Sequence, residues 1–109
     1  MIGYVMIGTN DLDRGARFYD ALLAPLGLVQ VERVETYAAY APKAAKDAIE
    51  FYVTRPFDQA PATPGNGTMI ALSAPTMQAL EQFHRLGLQN GGSDEGAPGP
   101  REEGSSICY

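Results

Sequence analysis

The chain has no tryptophan, one cysteine and one histidine among its 109 residues, and each shortage closes off a class of chemistry. Cys108 has no second thiol with which to form an internal disulfide or share a metal, which fits a reducing cytoplasm. Its plainest reading is a small residue in a strand. With His84 as the only imidazole, a two-histidine ligand set is excluded, and no Ser-His-Asp arrangement can be read around it. His84 falls beside Leu80 at helical spacing, as a member of an amphipathic helix. Basic residues are also few, 8 against 13 acidic ones, for a net charge of -5. A polyanion such as nucleic acid, or an acidic membrane surface, is repelled by that balance. No apolar run approaches the ~20 residues that cross a bilayer, and Met1 to Gly8 has neither the basic region nor the apolar length of a signal peptide. The expectation is a soluble, cytoplasmic protein without nucleic-acid or membrane partners.

Hydrophobic residues make up 45% of the chain, enough for one globular domain over 1–109 without metal or disulfide staples. Gly3 to Gly8 reads as a strand, with Val5 and Ile7 on one face and Tyr4 and Met6 on the other. From Asp11 the period changes: Leu12, Gly15, Ala16, Tyr19, Leu22, Leu23 and Leu26 recur at steps of three and four, an amphipathic helix. Asn10 or Asp11 caps it, and Pro25 with Gly27 stops it. Leu28 to Thr36, in which Val29, Val31 and Val34 alternate irregularly, and Tyr37 to Ala41 read as adjacent antiparallel strands. Pro42 to Asp47 is a charged loop. Ile49 to Thr54 alternates strictly, with Ile49, Phe51 and Val53 opposite Glu50, Tyr52 and Thr54.

The aperiodic, proline-rich stretch Pro56 to Gly67 links two halves, neither of which is large enough to bury a core alone. The Gly65-Asn66-Gly67 run leads into a strand rather than a helix N-terminus, so it is a turn and not a phosphate cradle. Thr68 to Ser73 is a second apolar run and Pro75 to Leu86 a second helix, with Met77, Leu80 and Phe83 on one stripe and Asn90, Gly91 and Gly92 as its stop. Ser93 to Gly104 reads as loop, its acidic residues Asp94, Glu95, Glu102 and Glu103 solvated, and Ser105 to Tyr109 as the start of a strand.

Displaced by 65 positions, the sequence matches itself. Val5 meets Ile70, Ile7 meets Leu72, Leu12 meets Met77, Phe18 meets Phe83, Tyr19 meets His84, Leu23 meets Leu88 and Gly27 meets Gly92. Strand faces, helix faces and helix stop keep register, so the chain is a repeated unit: a first βαβββ unit over about 1–57, a linker over about 58–66 and a second over about 67–109. The first unit's fourth strand would recur beyond position 109, so the second unit is expected to lack its last strand.

This plan, with the runs GYVMIGTNDLDRGARFY at Gly3 to Tyr19, AIEFYVTRP at Ala48 to Pro56 and GNGTMIALSAPTMQALEQFH at Gly65 to His84, resembles the vicinal oxygen chelate superfamily. That superfamily includes glyoxalase I, bleomycin-resistance proteins and extradiol dioxygenases. The resemblance implies an α+β fold in which two βαβββ units form a curved mixed sheet around a cavity. It also implies paired units, hence a homodimer, and leaves open a lyase or dioxygenase activity of the glyoxalase type. In metal-dependent members, ligands come from the first and fourth strands of each unit. Carried over, the first falls on Tyr4, the second on Glu50, the third on Met69 and the fourth beyond the chain.

Those residue types do not make a cradle for a divalent ion. A phenol must lose a proton of pKa ~10 before it ligates, and a thioether has little affinity for hard cations. One carboxylate is left, and the expectation is no bound metal and no cofactor. Tyr4, Met6, Glu50, Tyr52, Met69 and Ala71, if they share the concave face, instead line a pocket for a small apolar or aromatic molecule carrying a cationic or hydrogen-bonding group. The competing reading of the apolar members is plain packing between curved sheets. Three functions follow: a metal-free binding protein, a metal-dependent enzyme that the missing ligands oppose, and a non-catalytic module completed by a partner at an open sheet edge.

Overall fold

The periodicity that begins at Asp11 becomes helix α1, Leu12–Leu23, and its boundaries have local causes. Asp11 is extended (φ -138°, ψ 98°), and its carboxylate accepts a hydrogen bond from the Arg14 amide at 3.1 Å, satisfying one of the free N–H groups of the first turn. At the other end Ala24–Leu26 tightens into a 3₁₀ turn around Pro25, and Gly27 adopts φ 81°, a left-handed conformation in which a side chain is strained. The computed structural model describes residues 1–100 and 102–104.

Four strands precede the linker: β1 Val5–Gly8, β2 Leu28–Arg33, β3 Tyr37–Pro42 and β4 Phe51–Thr54. They form one mixed sheet in the order β1-β4-β3-β2, with β1 parallel to β4 and the other pairs antiparallel. The elements of the first half follow one another in the order β1, α1, 3₁₀ turn, β2, β3, β4. The irregular alternation of Val29, Val31 and Val34 has a cause: the β2–β3 register shifts between Gln30 and Glu32, so an extra residue is accommodated there. The β4 ladder starts two residues later than the alternation from Ile49 predicts, but Glu50 continues its pairing, donating to Tyr40 O and accepting from Val5 N, each at 3.0 Å.

α1 covers one sheet face, and the core lies between them. Leu12, Ala16 and Leu23 meet Ala38, Tyr40, Phe51 and Val53, all buried. Burial of side chains the size of Phe51 and Val53 stabilises the fold by about 1.5–3 kcal/mol each. Helix and sheet approach so closely that a Cβ on Gly15 would stand 3.1 Å from Val53 Cγ1 and from Thr9 Oγ1. The single polar group at the centre, the Tyr40 hydroxyl, donates to Asp20 Oδ1 at 2.9 Å and lies 3.1 Å from Ala16 O.

Helix α2, Met77–Gln89, begins 65 positions after α1, and its cap Thr76, which accepts from Ala79 N at 3.0 Å, stands 65 positions after Asp11. The displacement read from the sequence is thus reproduced by the helices. It is not reproduced by the strands: Thr68 to Ser73, expected as the second unit's first strand, carries no ladder among the described residues. A strand exists only in a pair, and the sheet of the described residues comprises β1 to β4 alone. α2 consequently packs on α1 and the 3₁₀ turn rather than on a sheet of its own, and Ala79 is its one buried residue. The expected strand from Ser105 and Cys108 lie outside the described residues. No helix of the described residues is long and apolar enough to cross a membrane.

Candidate functional site

Strand alternation gives the sheet two surfaces of different character. Val5, Ile7, Phe51 and Val53 point toward α1, so Tyr4, Met6, Glu50 and Tyr52 belong to the opposite surface. Met6 stands directly beside Tyr52 in the β1–β4 register, and the Tyr4 and Tyr52 rings meet edge to face with centroids 5.1 Å apart. Tyr4 and Met6 remain 57% and 51% exposed, large apolar surface that no described segment covers. Four of the six residues expected to line a pocket therefore do lie together.

Two residues that the sequence reading missed complete this surface. Tyr37, at the start of β3, is diagonal to Tyr52, and their rings pack edge to face at 5.4 Å. Its hydroxyl donates to a carboxylate oxygen of Glu32 on β2. That hydrogen bond, with some burial and the carboxylate's charge, raises the Tyr37 pKa and keeps the phenol neutral. The alternation of Tyr37 with Ala39 contains the signal. The register shift in β2 hides the partner, because only after the extra residue does Glu32 fall opposite Ala39 on the tyrosine side.

Met69 and Ala71 are placed elsewhere. Together with Ile7, Phe51, Phe18 and Leu80 they line a concavity of about 770 Å³ on the helix side of the sheet, bounded by α1, α2 and the segment that leads into α2. Tyr19 also lines it, and burial raises the pKa of its phenol. His84 is half-buried on α2 and borders a smaller concavity with Phe18, Leu22 and Leu80. The structure thus separates the six expected pocket residues into a tyrosine-rich open surface and an apolar hollow behind the sheet.

Among the described residues, no three of the histidine, cysteine, aspartate and glutamate side chains gather closely enough to hold a metal ion. The family's ligand positions, occupied here by Tyr4, Glu50 and Met69, do not fit a divalent cation by donor chemistry, and the third lies behind the sheet from the first two.

No protein-family model matches the chain, and no curated protein matches it. Among solved structures, the fold matches the crystal structure of a glyoxalase/bleomycin resistance protein from Albidiferax ferrireducens with a TM-score of 0.80 and 36% sequence identity, covering 91% of this chain and 79% of that one. The architecture and this similarity define an α+β protein of the vicinal oxygen chelate class. The chain belongs to the glyoxalase/bleomycin resistance family of that superfamily.

Proposed function

We propose that the protein binds a small apolar or aromatic molecule on the open face of the sheet, without a metal ion. The observation that carries this reading is the contiguous Tyr4–Tyr52–Tyr37 row, with Met6 beside it, on a surface where a soluble domain ordinarily places polar groups. Aromatic rings and a thioether give adaptable contact area, and Glu50 supplies a carboxylate at one end of the row. A lyase or dioxygenase mechanism through a polarising ion is opposed by the donor set.

The test is thermal denaturation with and without nickel, zinc or cobalt, in parallel with a series of soluble aromatic compounds. A ligand that binds only the folded state raises Tm by mass action. The expected outcome is a rise with one or more aromatic compounds and none with metal. A rise of several degrees at micromolar metal overturns the reading. Glu50→Gln is expected to abolish or strongly weaken the compound response, and an unaltered affinity removes Glu50 from the site.

A second reading concerns assembly. Among the described residues, β1 is an edge of the sheet, and Met69, Ile70 and Leu72 expose apolar side chains from a segment with extended-strand composition and no ladder. Unpaired strand edges invite pairing with another chain. We propose that the occupant is a second copy of this protein, giving a homodimer. Sedimentation across a wide concentration range tests it, and a monomer throughout counts against it.

A further inference from the structure

The tyrosine row has a sign. By strand alternation and register, its surface carries Glu32 and Glu50, one toward each end of the row, and one cation, Lys43, which follows Ala41 where its amide extends the β2–β3 pairing to Gly27 O. The two neighbouring arginines are directed elsewhere. Arg33 is one step out of phase with Glu32 and pairs with Asp13 of α1 at 2.5 Å, and Arg33 and Arg55 together border a separate cleft with Asn10 and Asp13. The three rings present negative π-faces and edges at steep angles to one another, 66° between Tyr4 and Tyr52 and 72° between Tyr37 and Tyr52. Rings set at such angles provide walls rather than a flat platform, and such walls attract an organic cation through their quadrupoles.

We propose that this surface selects an alkylated ammonium group over a neutral group of the same shape, with Tyr52 as the central wall, Tyr37 and Tyr4 flanking it, and Glu32 and Glu50 supplying the opposite charge. Tyr37 and Glu32 are specificity-determining residues in this arrangement. The hydrogen bond between them fixes the Tyr37 ring and keeps one carboxylate at the rim of the site. The inference rests on the open face being the ligand-binding surface and adds the class of ligand. Because Tyr4 and Met6 are about half exposed, a small cation stays partly hydrated, and the affinity of a minimal probe falls near the millimolar range.

The experiment titrates the protein with choline and with 3,3-dimethylbutan-1-ol, its uncharged carbon isostere, following the tyrosine ring resonances by NMR, with phenol as a neutral aromatic control. The expected result is saturable perturbation by choline, at least ~10-fold tighter than by the isostere, with a loss of about 5-fold or more in Glu32→Gln. Tyr37→Phe keeps the ring and loses the link to Glu32, so it is expected to weaken choline while leaving phenol unaffected. Equal binding of choline and its isostere, or phenol binding without choline, overturns the cation assignment while the small-molecule reading stands. Absence of any perturbation by all three overturns both.

Discussion

Tyr40 shows how one residue ties sequence to fold and fold to pH. Its ring is completely buried against Phe51, and its hydroxyl is held by Ala16 O and Asp20. Burial, followed by the hydrogen bond to Asp20 and that residue's charge, moves the phenol far above its ordinary value. The folded protein therefore holds this proton more tightly than the unfolded chain. The corresponding stability is fully present below ~10, the unfolded pKa, and is lost as pH rises from there toward the folded value. Tyr40→Phe is expected to lower stability by about 1–2 kcal/mol at neutral pH, measured by urea denaturation, and to flatten the fall in stability above pH ~10. Equal alkaline sensitivity in the variant would place the effect on other groups. Asp20→Asn keeps an acceptor for the Tyr40 hydroxyl and is expected to cost less than Tyr40→Phe.

At the scale of elements, what was legible in the sequence is what local chemistry decides. Asp11, Pro25 and Gly27 bound α1 because a cap, a ring-locked φ and a left-handed φ each act within one turn. The sequence pattern predicts the second helix over Pro75 to Leu86; α2 instead runs Met77–Gln89, because the Thr76 side chain caps it and the helix continues to Asn90, whose amide bonds Leu86 O. Thr68 to Ser73 was not legible in this way, since its composition suits a strand while pairing depends on a segment far along the chain. The candidate site divides along the same line. Tyr4, Met6 and Tyr52 could be placed from alternation, whereas Tyr37 and Glu32 come together only through the register shift in β2, a property of two strands rather than one. The caps provide a test of the repeat at the energetic level. Asp11→Ala and Thr76→Ala each remove one side-chain acceptor from a helix start, at a cost of about 1 kcal/mol where the helix folds with the core. Asp11→Ala is expected to lower the global Tm, because α1 contributes Leu12, Ala16 and Leu23 to the core. Thr76→Ala is expected to raise amide exchange in α2 with a smaller change in Tm, because α2 buries only Ala79. Equal effects on Tm would show that the halves unfold as one unit.

The molecule as a whole has a well-buried half and a sparsely buried one, and that imbalance bears on assembly. Contrary to the expectation that neither half buries a core alone, the first half closes one between α1 and four strands, while the second exposes Met69 at 83%, Met77 at 49% and Leu72 at 37%. Exposed apolar side chains clustered in one stretch cost solubility unless something covers them, and a symmetric second copy covers the same stretch on both protomers at once. The net charge of -5 on each copy opposes association, so any apolar contact must overcome a repulsion that salt screens. Dimer affinity is therefore expected to rise with ionic strength, the reverse of an interface held by ion pairs. Met69→Glu adds two like charges across a two-fold interface and removes apolar surface, and it is expected to weaken the dimer at least ~10-fold by sedimentation equilibrium. Because Met69 lies outside the buried core, the variant should retain the wild-type far-UV circular dichroism, so that loss of the dimer is read separately from loss of the fold. An unchanged dimer in Met69→Glu places the interface on another surface, and dimer affinity that falls with added salt shows that charge pairing holds the copies together.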